Sequence, residues 1–252
     1  MKKTVLITGA SAGFGAACAR KYGEQGYRLV LAARRLEKLA VLQQELSGTE
    51  CHLVELDVRD RSAVAGKLSS LPPPFDRVDI LVNNAGLALG LEPAHETDLD
   101  AWETMIDTNI KGLIYCTRQI LPGMVERGCG HIVNIGSVAG STPYPGSNAY
   151  GATKAFVKQF SCNLRTDLHG TPIRVTNIEP GMAETEFSLV RFNGDAARAS
   201  EVYKDAQPLT AEDIAATVCW VTGLPPHVNV NRLEIMPVCQ AWAPFRIHRQ
   251  EE

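Results

Sequence analysis

Residues 4–17 read TVLITGASAGFGAA, in which a short β-branched run leads directly into Gly9, Gly13 and Gly15. The run TVLIT is typical of a buried strand, and the residues after the glycines are typical of a helix. Glycine adopts positive φ without strain and lets an anion approach the backbone, where the helix presents free N–H groups. The stretch therefore predicts a strand–turn–helix unit that binds a dinucleotide pyrophosphate; the alternative is a glycine-rich tight turn.

The alternation of strands and helices continues beyond this unit. Strand patterns cover residues 4–8, 28–33, 52–56, 79–84, 131–136, 174–179 and 232–238, and helical patterns cover 14–25, 36–46, 62–69, 99–120, 149–168 and 211–222. Such alternation favours right-handed crossovers and a Rossmann-type, doubly wound α/β fold. We expect a mostly parallel sheet of about seven strands with helices on both faces. The sequence contains no linker or repeat, so we predict a single dinucleotide-binding catalytic domain over residues 1–252.

Composition excludes several classes of function. The net charge is −3, and the chain contains no run of Lys or Arg, which argues against a nucleic-acid or anionic-membrane surface. No apolar stretch reaches the roughly 20 residues that a membrane span needs. The seven cysteines are scattered and the histidines dispersed, so we predict neither a disulfide framework nor a metal site. A reducing, cytoplasmic location is expected.

The end of the second predicted strand distinguishes between the two nicotinamide cofactors. An NAD-binding protein typically places Asp or Glu there to bind the ribose 2′-OH, whereas this chain has Arg34 and Arg35. Guanidinium groups bind a 2′-phosphate in a bidentate manner, so the pair favours NADP; the alternative is two solvated arginines. The cofactor contacts predicted up to the fourth strand are Gly9, Ala10, Ser11, Ala12, Gly13, Phe14, Gly15, Arg34, Arg35, Asp57, Val58 and Asn84.

The stretch SNAYGATKAF, residues 147–156, places Tyr150 and Lys154 at positions i and i+4, on one face of a predicted helix. A free tyrosine has a pKa of about 10 and is a poor base at neutral pH. An ammonium about 4 Å away contributes about 4 kcal/mol at an effective dielectric of 20, which would lower that pKa by up to about three units. The pair therefore predicts a phenol tuned for general acid–base catalysis.

Two further polar residues are candidates for the same site. Ser137 follows the fifth strand, where a hydroxyl can bind a substrate oxygen; the alternative is a turn residue. A serine-hydrolase elbow is excluded, because glycine should stand two residues before the serine and Ile135 is there. Asn109 interrupts an apolar helical stripe, and a buried amide needs partners. It is predicted either to position Lys154 or a water, or to form an interhelix hydrogen bond.

These residues together resemble the short-chain dehydrogenase/reductase family. The T-G-x-x-x-G-x-G loop, NNAG at 83–86, Asn109, Ser137, the Tyr150–Lys154 pair and PG at 180–181 match the family in order and spacing. The resemblance implies that Tyr150 is the acid/base and that Lys154 lowers its pKa and holds the ribose. It also implies that Ser137 orients the substrate, that Asn109 supports a proton relay, and that a homotetramer forms through helix 149–168. Further implied cofactor contacts are Tyr150, Lys154, Pro180, Gly181, Met182 and Thr185.

A narrower resemblance suggests the substrate. NNAGLALGLEPA, AWETMIDTN, YGATKAFVKQFS, LRTDLHGT and TEFSLVRF are similar to the NADP-dependent 3-hydroxy acid dehydrogenases, a group that includes malonic semialdehyde reductases. The resemblance implies a small substrate of the serine, allo-threonine or 3-hydroxypropionate type. Its carboxylate would need a cation, for which Arg191 is the candidate; the alternative is a surface arginine. The substrate contacts predicted are thus Ser137, Tyr150 and Arg191. Two other functions stay open: a reductase of bulkier 3-oxoacyl or steroid carbonyls, and a non-catalytic NADPH-binding regulator.

Overall fold

The computed structural model describes residues 2–242, and its seven strands form one parallel sheet. The strands are β1 (Thr4–Thr8), β2 (Arg28–Ala33), β3 (Cys51–Glu55), β4 (Ile80–Asn83), β5 (Gly130–Ile135), β6 (Ile173–Pro180) and β7 (Arg232–Ile235). Their order is β3-β2-β1-β4-β5-β6-β7, with a switch point between β1 and β4. The predicted Rossmann-type sheet is confirmed. The last strand ends at Ile235 rather than at residue 238.

Helices cover both faces of the sheet, as predicted. They are α1 (Gly13–Glu24), α2 (Leu36–Glu45), α3 (Arg61–Ser69), α4 (Leu99–Ile106), α5 (Leu113–Arg127), α6 (Asn148–Asp167), α7 (Glu186–Arg191), α8 (Ala196–Glu201) and α9 (Ala211–Gly223). Alternate residues of β1 belong to two separate cores: Val5 and Ile7 pack with α1, α2 and α9, while Leu6 packs with α3, α5 and α6. This alternation explains why the central strands read as continuous apolar runs.

The helix predicted over residues 99–120 is present, since these residues are helical throughout, but it is not one regular α-helix. A π-helical segment, Asp107–Gly112, separates α4 from α5, and α5 continues to Arg127. The segment carries Asn109 and turns its side chain into the protein. A π segment adds a residue to the turn, which a pattern of apolar spacing does not reveal. Helices α7 and α8 were not predicted either, because each has only six residues and too few turns to show a periodicity.

Parts of the predictions lie outside the described residues. The single domain predicted for residues 1–252 includes residues 1 and 243–252, and its extent stays a prediction. One of the dispersed histidines, His248, lies outside as well. Within residues 2–242, no helix is long and apolar enough to cross a membrane. The same part of the chain has no group of three or more His, Cys, Asp or Glu side chains that could hold a metal ion.

A row of buried asparagines crosses the neighbouring strands β4, β5 and β6. Asn83, Asn134 and Asn177 are in register on β4, β5 and β6, and all three are buried. Asn83 Nδ2 donates to Asn134 Oδ1 at 2.9 Å, and Asn134 Nδ2 donates to Ser161 Oγ of α6 at 2.9 Å. Asn83 also donates to Thr117 Oγ1 of α5 at 2.9 Å. The row therefore joins two neighbouring strands to both helices that cover them.

We predict that Asn134→Ala lowers the free energy of unfolding by about 3 kcal/mol, since it leaves Asn83 and Ser161 with unmet hydrogen bonds in the core. For a chain of this size the melting temperature should fall by about 6–12 °C. Thermal unfolding followed by circular dichroism measures it. Asn163→Ala is the matched control, because Asn163 is exposed and its side chain bonds only Gln159 among residues 2–242. Equal melting temperatures for the two variants would contradict the prediction.

Candidate active site

A cavity of about 590 Å³ opens at the carboxyl ends of the strands. This edge of an open parallel sheet is where ligands bind, at the switch point of the strand order. The predicted site residues that line the cavity are Gly9, Ser11, Ala12, Gly13, Phe14, Arg34, Arg35, Asp57, Val58, Asn84, Ser137, Tyr150, Lys154, Pro180, Gly181, Met182, Thr185 and Arg191. Ala10, Gly15 and Asn109 do not line it, and all three are buried.

The glycine loop has a shape that other residues would not permit. Gly9 and Gly13 have φ of 66° and 51°, and a β-carbon on Gly15 would collide with the carbonyl oxygen of Gly9. Asn84 braces the loop, because its Nδ2 donates to the carbonyl oxygens of Thr8 at 2.9 Å and Gly9 at 3.2 Å. The N-cap residue of α1, Ala12, makes no side-chain hydrogen bond to the first turn. The loop thus fits a pyrophosphate, which would meet uncapped amides and no β-carbon.

The end of the cavity next to the carboxyl end of β2 carries arginines. Arg34 is exposed, and Arg35 donates from Nε and Nη2 to Ser11 Oγ at 3.3 and 3.1 Å. Asp57 is paired with Arg59 at 2.6 Å, and this guanidinium lowers the pKa of the carboxyl group. The sequence analysis did not identify Arg59, which has no motif of its own. Two arginines beside the loop fit a 2′-phosphate better than a bare ribose hydroxyl.

Tyr150 and Lys154 lie close together on α6, and both are buried, with 8% and 7% of their surface exposed. Lys154 Nζ donates to the carbonyl oxygen of Ile135 at 2.8 Å and lies 5.8 Å from the centroid of the Tyr150 ring. Burial raises the pKa of Tyr150 to about 12, while Ser137 and Arg191 act in the opposite direction. Burial also lowers the pKa of Lys154 to about 8.

The expected lowering of the Tyr150 pKa by Lys154 is therefore wrong for the chain alone. Desolvation of the phenolate outweighs the attraction of nearby cations, because a buried charge loses its hydration. The ammonium is held by the end of β5 rather than by the phenol. At neutral pH the phenol is protonated and can donate a hydrogen bond or a proton.

Ser137 lies beside the phenol and also has a local structural role. Its Oγ accepts a hydrogen bond from the backbone N–H of Ala139 at 3.1 Å and thereby caps a short 3₁₀ turn. The same hydroxyl lines the cavity and lowers the pKa of Tyr150. The two interpretations of this serine, turn residue and site residue, are thus compatible.

Asn109 bridges two elements below the cavity. Its Oδ1 accepts from the Leu87 N–H at 2.9 Å, and its Nδ2 donates to Leu87 O at 2.8 Å and to Thr153 Oγ1 at 3.0 Å. The amide thus bonds α6 one residue before Lys154 but makes no hydrogen bond to Lys154 itself. The interhelix hydrogen bond that the sequence analysis considered is present. A relay role for this amide stays a prediction.

Arg191 ends α7 and reaches the cavity beside Tyr150. Its Nη2 donates to Tyr144 Oη at 3.0 Å, and its guanidinium carbon lies 5.4 Å from the Tyr150 ring centroid and 5.1 Å from that of Phe187. The Nε atom is buried and has no hydrogen-bond partner among the described residues. Arg191 is therefore not a fully exposed surface arginine. Tyr144 and Phe187 were missed by the sequence analysis, although Tyr144 stands just six residues before Tyr150.

Comparison with known proteins extends these observations. The model of the short chain dehydrogenase family matches residues 3–194. The NADP-dependent 3-hydroxy acid dehydrogenase YdfG of Escherichia coli K12 is 58% identical over 98% of this chain and 99% of its own length. Sulfoacetaldehyde reductase 2 of Chromohalobacter salexigens is 55% identical over 99% of this chain and 100% of its own.

Solved structures agree with the sequence comparison. A structure described as the closed form of serine dehydrogenase complexed with NADP+ superposes with a TM-score of 0.96 and is 57% identical, covering 98% of this chain and 100% of that one. A serine dehydrogenase structure from Escherichia coli gives a TM-score of 0.83 at 54% identity, over 95% of this chain and 100% of that one. With the family match, the whole-length similarity and the shared fold, the chain belongs to the short chain dehydrogenase family of oxidoreductases.

Proposed function

We propose that this chain is an NADP-dependent oxidoreductase that interconverts a small 3-hydroxy acid and its 3-oxo acid. One observation carries the proposal: the Arg191 guanidinium lies 5.4 Å from the Tyr150 ring, so an anion-binding group stands beside a proton donor. The relatives named as 3-hydroxy acid and serine dehydrogenases support the same reaction. In a 3-hydroxy acid the carboxylate is two carbons from the reacting alcohol, which suits this short separation.

The residues present fit NADP. The glycine loop would hold the pyrophosphate, Arg34 and Arg35 the 2′-phosphate, and Lys154 the nicotinamide ribose. Contacts along the rest of the cofactor would come from Asp57, Val58, Asn84 and the strand-end residues Pro180, Gly181, Met182 and Thr185, all of which line the cavity. When bound, NADP supplies the acceptor or donor of the hydride.

Tyr150 moves the proton in this proposal. With its pKa raised to about 12, the phenol is protonated at neutral pH and can donate to the carbonyl oxygen during reduction. In the oxidation direction it must accept a proton, and the Arg191 guanidinium, which acts to lower the pKa of Tyr150, makes the phenolate less costly. Ser137 would hold the substrate oxygen next to the phenol. Asn109 would act indirectly, by fixing α6 through Thr153.

Arg191 would bind the substrate carboxylate. A buried guanidinium nitrogen without a partner is costly, and an anionic ligand would supply the missing acceptor. Tyr144 holds the other end of the guanidinium through Nη2, so the fork is oriented before a ligand arrives. This cation argues against steroid or long acyl substrates, whose apolar groups gain nothing from it. A sulfonate is the second candidate anion, since relatives at 55% and 53% identity are named sulfoacetaldehyde reductases.

Assembly and location are part of the proposal. A homotetramer formed through α6 is supported by the exposed Ala152 and Ala155 and the half-buried, stacked rings of Phe156 and Phe160 on that helix. Sedimentation analysis would measure the number of subunits. A cytoplasmic location fits the seven cysteines of the chain, which are all unpaired thiols.

We predict that Tyr150→Phe lowers kcat by about 10²–10⁴-fold, the usual contribution of a general acid, while the Kd for NADP+ changes less than about threefold. Turnover is followed by absorbance at 340 nm and cofactor binding by calorimetry. Tyr203→Phe is the control, because Tyr203 lines the cavity but its hydroxyl bonds, within the described part of the chain, only Ser188 and Ala183. A chain that shows no turnover with any hydroxy acid, yet binds NADPH, would support the regulator instead.

We predict that Arg191→Ala raises the KM for 3-hydroxy acids by about 10- to 100-fold, since a hydrogen bond to a charged group contributes about 1.5–3 kcal/mol. The KM for a neutral alcohol of the same size should change less than about threefold. The panel includes 2-hydroxyethanesulfonate, which tests the sulfonate alternative. Arg198→Ala is the matched control, because Arg198 lies on α8 over Phe192. Equal losses on charged and neutral substrates would remove Arg191 from the substrate site.

A further inference from the structure

Glu186, the first residue of α7, forms a bridge to two cations at the adenosine end of the cavity. Its Oε2 accepts hydrogen bonds from Nη1 and Nη2 of Arg35, both at 3.1 Å, and its Oε1 accepts from Lys38 Nζ at 2.8 Å. Arg35 stands at the start of α2 and Lys38 within it. The carboxylate therefore joins α7 to the segment in which the sequence predicts the 2′-phosphate contacts.

Both sides of the Arg35 guanidinium are occupied in this arrangement. Nε and Nη2 face Ser11 Oγ, while Nη1 and Nη2 face Glu186. A phosphate that binds Arg35 with two hydrogen bonds needs one of these two sides. Ser11 is neutral and its hydroxyl can donate to a phosphate oxygen. Glu186 is an anion and repels a phosphate, so Glu186 is the partner that has to leave.

The bridge is of the kind that a ligand can displace. Arg35, Lys38 and Glu186 each have 41% of their side chain exposed. Ion pairs at this exposure are weak, because water and salt screen the charges. Arg35 and Lys38 keep the pKa of Glu186 below its usual value, so the carboxylate is ionised at neutral pH. Each of the three groups can thus exchange its partner without leaving a buried charge.

We propose that Glu186 is an internal competitor of the cofactor's 2′-phosphate, which occupies Arg35 and Lys38 until NADP(H) displaces it. The residue thereby weakens the binding of NADP(H) and has no effect on NAD(H), which lacks the phosphate. The proposal rests on the proposed placement of the 2′-phosphate at Arg34 and Arg35. Glu186 thereby sets how tightly NADP(H) binds and how readily it dissociates.

The segment that carries Glu186 lies directly on the glycine loop. A β-carbon built on Gly13 would be 3.4 Å from Thr185 Cβ, and Thr185 caps α7 by accepting from the Phe187 N–H at 3.1 Å. Displacement of Glu186 therefore loosens a contact between the start of α7 and α2, next to the pyrophosphate position. The opposite arrangement is a clasp, in which Glu186 keeps its partners and orders the cations around the phosphate.

The test is calorimetric titration of Glu186→Gln with NADP+, 2′,5′-ADP and NAD+, without turnover. We expect NADP+ and 2′,5′-ADP to bind about three- to tenfold more tightly, as the loss of a competing exposed ion pair implies. The affinity for NAD+ should stay within about twofold. Glu184→Gln is the matched control, because Glu184 is an exposed neighbour with no ion pair in the described part of the chain, and it should change none of the three affinities.

Two results would overturn the competitor role: weaker binding of NADP+ in Glu186→Gln, which indicates a clasp, or unchanged binding. Arg35→Ala separates this failure from a failure of the proposed cofactor site. If Arg35→Ala leaves NADP+ binding unchanged, the 2′-phosphate does not lie at Arg35 and the site assignment is wrong. If Arg35→Ala weakens the binding of NADP+, the proposed cofactor site is supported. In the Arg35→Ala background, Glu186→Gln should then lose more than half of its effect on the affinity for NADP+.

Discussion

The close approach of α1 to the end of β1 is the constraint on which the cleft depends. Gly15 packs against the carbonyl oxygen of Gly9 and the side chain of Asn84, with no space for a β-carbon. This contact brings the start of α1 directly over the strand edge, and Asn84 links β1 to β4 at the switch point. Because the neighbouring crossovers leave on opposite faces there, a cavity opens beside the uncapped helix terminus.

Within that cavity, desolvation sets the chemistry of the polar side chains. Tyr150 is kept protonated and Lys154 is made less basic by the same cause, the loss of water around a charged form. The tuning of the phenol therefore depends on all charges that enter the cavity and not on a single neighbour. Arg191 contributes to this balance and is also available to an anionic substrate. In the proposed function, one cation would thus act on both substrate binding and proton transfer.

Helix α7 connects the two ends of the cleft. Its first residue, Glu186, meets the cations of the adenosine end, and its last, Arg191, meets the phenol. The helix has only six residues, so its first and last residues are about 7.5 Å apart along the helix axis. Under the proposed assignments, one short element would for this reason carry both cofactor and substrate interactions.

Local patterns in the amino-acid sequence were sufficient to predict the fold class and the glycine loop, and to select Ser137, Tyr150 and Lys154 as candidates. These features depend on neighbours in the chain: a buried strand, a residue without a side chain, or a four-residue spacing on a helix. Arg34 and Arg35 were predicted as 2′-phosphate contacts from their position at the end of the second strand, and Arg191 as a carboxylate contact from its place in TEFSLVRF.

The folded chain alone decided the partners of these residues. The pKa of Tyr150, the bonds of Asn109 and the bridge of Glu186 depend on segments far apart in the sequence, and packing sets their distances and their hydration. The π segment that carries Asn109 was hidden for the same reason, because its extra residue is stabilised by tertiary contacts and not by a local preference. Spacing along a chain specifies which groups share a face, whereas burial and long-range contacts determine their charge state and what each of them binds.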